Sequence, residues 1–183
     1  MKPAALALLL LAAPPAMASR WTVVPAQSSL TFSSVWNGAT VEGRFPKFSA
    51  SINFDPNKLA EAKVDVVVDL TAATTNDRTV NGSLPGDDWF AIKKQPTARF
   101  TTSSIAQVKP GQYVARGTLS LRGVAVPVVL PFTLAINGNT ATMVGETRLD
   151  RRSFKIGMDS DATADWVAYA VPVKVKVTAT RAD

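Results

Sequence analysis

Hydrophobic and polar residues alternate one for one through most of the chain beyond residue 18. Leu30 and Phe32 alternate with Ser29, Thr31 and Ser33, and Val41, Gly43 and Phe45 oppose Glu42 and Arg44. Val64, Val66, Val68 and Leu70 oppose Lys63, Asp65 and Asp69, with Val67 the exception. Leu119 and Leu121 alternate with Ser120 and Arg122, and Val171, Val173, Val175 and Val177 face away from Lys174, Lys176 and Thr178. Successive side chains of an extended strand point to opposite faces. Each segment therefore predicts a strand with one apolar and one wet face, the pattern of antiparallel sheet.

Turn chemistry falls between these runs. Asn37-Gly38 and Asn137-Gly138 supply the positive φ of two-residue hairpin loops, and Pro110-Gly111 marks another turn. They predict hairpins joining 28–34 to 40–45 and 128–136 to 140–149. About nine strands are predicted in all. Residues 74–96 and 150–165 break the alternation and predict long loops with short helical turns. So many amphipathic strands, with few helices to cover them, must close on themselves or stack as two sheets. The fold class is all-β. Strands of roughly seven to ten residues joined by short hairpins favour one antiparallel up-and-down barrel, with a Greek-key sandwich as the alternative.

The first 18 residues follow another rule. Lys2 gives a positive start, Ala4 to Ala13 is apolar, and Ala16-Met17-Ala18 is a small-x-small cleavage site. The apolar run is about ten residues against the roughly 20 of a membrane span, so residues 1–18 read as a secretory signal peptide cleaved after Ala18. No Cys follows it that would make a lipoprotein. Residues 19–183 then form a single exported domain, expected in the periplasm. Of 20 basic residues one is Lys2, so against 14 acidic residues the net charge falls from +6 to +5 on cleavage. That excess is dispersed, and it does not point to nucleic acid.

Missing residue types narrow the chemistry. The sequence contains neither Cys nor His. That removes disulfides, thiolate nucleophiles, covalent haem, an imidazole base and zinc sites of ordinary composition. No cofactor is expected. Asp159-Ser160-Asp161 with Asp165 faintly resembles a calcium loop but lacks its sixth-position glycine and terminal glutamate, and reads as solvated loop acids. Asp87-Asp88 reads as turn or capping acids, and Asn81-Gly82-Ser83 as a turn rather than a glycosylation site. Trp21, Trp36, Trp89 and Trp166 lie near strand ends or in loops, where rim packing or a ligand mouth would use them.

Two stretches carry a family likeness. One is Gly82-Ser83-Leu84-Pro85-Gly86-Asp87-Asp88-Trp89-Phe90 followed by Pro96-Thr97-Ala98-Arg99-Phe100. The other is Leu149-Asp150-Arg151-Arg152-Ser153-Phe154-Lys155-Ile156-Gly157, leading into the Val-rich final strand. Trp21, Leu30-Thr31-Phe32, Val41 to Phe45 and Gly117 to Gly123 match in order and spacing. Together they resemble the YceI-like family. The resemblance implies a lipocalin-like barrel, exported to the periplasm, that binds an isoprenoid quinone or another polyprenyl lipid without transforming it. Some members sit beside membrane cytochrome b-type partners, and a homodimer is left open. The sequence departs from the family pattern in having no His, in Asn76-Asp77-Arg78-Thr79-Val80 before the central loop, and in Lys155 where glycine is common.

A prenyl tail offers no hydrogen-bonding groups, so its site needs apolar wall and shape. Phe32, Phe45, Ile52, Phe54, Val66, Val68, Phe100, Leu119, Leu121, Leu130, Phe132 and Val173 supply that wall if they face inward, and Phe154 belongs to the second motif. Asp77, Arg78 and Trp89 are placed at the mouth to meet a head group. Two alternatives stand beside this reading. One is an isoprenoid-modifying enzyme using Asp87, Asp88 or Asp159. The other is a barrel filled by its own side chains that docks to a membrane partner, because alternation does not distinguish a hollow interior from a solid one.

Overall fold

Strand formation follows the alternation. The computed structural model describes residues 19–182; the predicted leader lies outside the described residues. In chain order the elements are β1 (Arg20–Val23), β2 (Ser29–Trp36), β3 (Ala39–Arg44), β4 (Phe48–Asn53), β5 (Lys63–Asp69), β6 (Thr74–Thr75), α1 (Arg78–Ser83), β7 (Thr97–Lys109), β8 (Gln112–Leu121), β9 (Val124–Asn137), β10 (Thr140–Asp150) and β11 (Ala170–Arg181). Every ladder is antiparallel. The circuit β1-β4-β5-β7-β8-β9-β10-β11 closes when β1 pairs with β11, while β2, β3 and β6 continue from the upper part of β11. This is the expected all-β barrel, eight strands around, and not a sandwich. Closure leaves few free edges and encloses an interior of the size that can hold one ligand.

The hairpins refine the turn reading. Asn37 and Gly38 have φ of 49° and 78° and join β2 to β3 as a type I′ pair would. Between β9 and β10 the loop residues are Gly138 and Asn139, because Asn137 still pairs with Thr140. Gly138 alone carries positive φ there. A further hairpin that the alternation concealed joins β8 to β9 through Arg122 and Gly123, both at positive φ. β7 and β9 outrun the expected strand length at 13 and 14 residues. Register shifts in β7 bend its long ladder with β8, as bulges do.

The irregular stretches fold as short turns. α1 is a six-residue helix whose Asp77 caps the Val80 N–H, and Asp150 caps the 3-10 turn Arg151–Phe154. Lys155 follows that turn at φ 56°, a left-handed conformation that glycine adopts without strain.

Two apolar clusters occupy the barrel's ends. Trp21, Phe54, Ile105, Tyr113, Leu130 and Phe132 gather at the end bearing the 110–111 and 138–139 turns. Phe32, Leu70, Leu84, Phe90, Phe154 and Ile156 gather at the other, beneath α1 and the 150–168 segment.

Candidate functional site

Between these clusters the interior is hollow. A cavity of about 580 Å³ runs through the barrel, within the 300–1,000 Å³ range that small-molecule sites span. The inward parity of the strands forms its wall. Phe32, Phe45, Ile52, Phe54, Val66, Val68, Phe100, Leu119, Leu121, Leu130, Phe132 and Val173 all line it, as do Trp89 and Phe154. Several of these, Phe45, Val66, Phe100, Leu119 and Val173 among them, are only half-buried despite pointing inward, because they border open space rather than packed neighbours. Arg78 is the exception: it opens α1 with an exposed side chain and lies outside the lining. Helix geometry accounts for this, since Thr79, Val80 and Ser83 share the face turned to the lumen. Asp77 is occupied in capping the helix.

One end is sealed. Trp21 donates its indole N–H to the Phe54 carbonyl at 2.9 Å, and the Arg181 guanidinium covers the ring at 5.0 Å from its centre. Tyr113 stacks on Phe132 at 5.4 Å and meets Phe54 edge-on at 5.7 Å. These large rings close the floor with apolar contact and a paired N–H, the arrangement that aromatic residues favour when buried.

The opposite end opens. Among the lining residues, Thr79 and Ser83 of α1 and Ser160 and Trp166 of the long loop are exposed, so the mouth lies between these two segments. Trp36 bridges to Val167 beside it. Below the rim, Phe32, Phe45 and Phe90 form an aromatic group with centroids 5.0–6.4 Å apart. Gly43 makes that group fit: a Cβ there would lie 2.2 Å from the Phe32 ring. Gly43 shares the inward parity of Val41 and Phe45, and the Phe32 ring occupies the space its missing side chain leaves.

The long loop is strapped from within. Arg151 is 2% exposed and pairs with Asp161, Nη2 to Oδ2, at 2.8 Å. Its guanidinium also donates to the carbonyls of Ile156, Gly157, Asp161 and Val167. Asp161 in turn accepts the Trp166 and Val167 N–H groups. The reading of Asp161 as a solvated acid is therefore corrected. The loop doubles back, and its carbonyls need a buried donor that sequence spacing does not reveal. Asp88 supplies a second clasp, accepting from the Ser160 hydroxyl and from the Asp159 and Ser160 N–H groups. Partial burial opposes its charge, but those hydrogen bonds and the Arg122 guanidinium hold its carboxyl below the usual carboxylate range. Asp87 pairs with Lys94 at 2.9 Å on the surface, and the hydrogen bond from that ammonium lowers its pKa too. Arg122 ties the region together through the carbonyls of Asp87, Phe154 and Lys155.

The loop carboxylates thus serve as clasps and a surface ion pair. Among the described residues no three His, Cys, Asp or Glu side chains converge to hold a metal. Several lining residues escaped the sequence reading, although a signal for some existed. Trp36 continues the Leu30-Phe32 parity, and Val171, Val175 and Val177 continue that of Val173. Leu84, Phe90 and Ile156 had no periodic signal because they lie in turns.

Comparison with known proteins agrees with this architecture. The YceI-like domain family profile matches residues 21–179. A UPF0312 protein of Shewanella denitrificans is 31% identical over 141 residues, 73% of this chain and 74% of its own length. Burkholderia cenocepacia BcnA superposes with a TM-score of 0.82 at 34% identity, covering 86% of this chain and 99% of its own. A polyisoprenoid binding domain from Saccharophagus degradans, implicated in plant cell wall breakdown, shares the fold at a TM-score of 0.70 and 16% identity, over 91% of this chain and 99% of its own. With a matched profile spanning the whole barrel, the chain belongs to the YceI-like family.

Proposed function

We propose that this protein is a noncatalytic lipid-binding protein of the periplasm that holds an isoprenoid quinone or other polyprenyl chain in its barrel, as carrier or store. The observation that carries the reading is the apolar cavity of about 580 Å³, sealed at one end and open at the other. A linear hydrocarbon tail can enter such a tube by one end and be covered along its length. At about 0.8 kcal/mol per buried CH₂, each five-carbon unit gains about 3–4 kcal/mol. The sum for a long tail exceeds the 18–21 kcal/mol ceiling for noncovalent affinity, so ordering of the tail offsets much of it. Slow release follows. The likeness in fold to a polyisoprenoid binding domain supports the same class of ligand.

Mass spectrometry of lipid extracted from protein purified from its own host tests the reading. A stoichiometric isoprenoid is expected. Reproducibly empty protein that takes up no quinone or prenol in vitro would sink it. For a bound ligand, stability rises with ligand concentration, by about 2.7 kcal/mol at one hundred times Kd, so extraction should lower the unfolding midpoint and reloading restore it.

A further inference from the structure

One polar residue interrupts the apolar wall just inside the mouth. Along β2 the inward residues are Leu30, Phe32, Ser34 and Trp36, all lining the cavity. Ser34 sits one inward step below the rim residue Trp36, about 7 Å along the strand. Its Oγ is buried and has no protein partner. Of the other lining hydroxyls, Thr102 is bonded to the Val64 backbone, Thr147 donates to Val129, Ser83 to Thr79 and Ser160 to Asp88, while Thr79 is exposed at the rim. A hydroxyl buried without a partner destabilises a fold, and valine or leucine at this place would complete the apolar column.

The charge of the lining is equally one-sided. Arg151 is the one charged residue among the described lining residues, and its guanidinium is taken up by Asp161 and backbone carbonyls. Nothing inside is left to neutralise an anion, and a carboxylate or phosphate drawn into such a lumen loses its hydration without compensation.

Building on the lipid-holding reading above, we infer that the lumen selects an uncharged amphiphile. Its hydroxyl or carbonyl oxygen meets Ser34 Oγ below the rim while its chain runs toward the Trp21 floor; the same tail bearing an anionic head is rejected.

The test uses delipidated full-length mature protein and four ligands that share one branched carbon skeleton. These are geranylgeraniol, geranylgeranoic acid, geranylgeranyl diphosphate and the headless hydrocarbon phytane, with binding followed at pH 8 by tryptophan fluorescence. Geranylgeraniol is expected to bind at least about tenfold more tightly than either anion. Ser34→Ala should weaken geranylgeraniol by about threefold to tenfold, the worth of one net hydrogen bond, and leave phytane unchanged. Ser34→Thr should restore the alcohol's affinity. The thermal midpoint of lipid-free Ser34→Ala should equal or exceed that of the unaltered protein, since an unpaired hydroxyl is removed. Binding of the diphosphate as tight as that of the alcohol, or an alcohol affinity indifferent to Ser34→Ala, would overturn the inference while phytane binding keeps the lipid-holding reading intact. Failure of all four ligands, phytane included, would remove both.

Discussion

The two ends of this barrel are built from different materials. At the floor, Trp21, Phe54, Tyr113 and Phe132 pack ring against ring, and the Trp21 indole N–H is satisfied by the Phe54 carbonyl. At the mouth, Phe32, Phe45 and Phe90 pack similarly, but the segment above them is held by polar clasps: Arg151 with Asp161, Asp88 with Ser160, and Arg122 with three carbonyls. The difference follows from secondary structure. Strands meet at the floor with their backbones already paired, so side chains need only exclude water. The mouth is spanned by turns whose carbonyls have no ladder to enter, and buried donors must satisfy them. Strength at the floor is apolar and insensitive to pH; strength at the mouth depends on charge.

Arg151→Met should break that symmetry most severely. It leaves the Asp161 carboxylate buried without its partner, a change that destabilises by about 3–5 kcal/mol, and the loop to Val167 loses its anchor. Urea unfolding would measure the loss. Adding Asp161→Leu should recover part of it; a wild-type-like midpoint for Arg151→Met alone would show that the strap is dispensable.

A pair of leucine truncations sharpens the contrast between packed floor and hollow middle. Leu130 touches the lumen but is buried among packed neighbours, so Leu130→Ala enlarges the void at their expense and is expected to cost about 2–5 kcal/mol. Leu119 already borders the lumen and is half-buried, so Leu119→Ala removes fewer contacts and should cost about 1–2 kcal/mol, closer to transfer alone. Equal losses in lipid-free protein would mean that the middle is as tightly packed as the floor.

The smallest effect is expected at Asp88, whose clasp is partly screened by solvent. Asp88→Asn should cost about 1 kcal/mol at neutral pH. Because the folded-state pKa lies below the unfolded one, that contribution is complete above the unfolded value and is lost as pH falls through the folded value. The two proteins' stabilities should therefore converge in acid. A gap that widens as pH falls would assign the clasp to something other than the carboxylate.

Much of the wall was legible because strand side chains obey a period of two. Phe32, Val66, Leu119 and Val173 were placed inward by parity alone, and they are inward. Where parity stops, legibility stops: Arg78, placed at the mouth from its position in the chain, opens the six-residue α1 with an exposed side chain outside the lining. Asp161 was taken for a solvated acid because its partner, ten residues earlier, comes near only after the loop folds back.

Alternation, turn residues and the family motifs were sufficient for an all-β barrel and for the composition of its inner face, since these are local consequences of strand geometry and turn chemistry. Whether that face encloses space was decided only in three dimensions. The same inward residues fill a barrel or line one according to how strand tilt, the ring packing over Gly43 and the strapped loop distribute volume, and none of those is a property of any single segment.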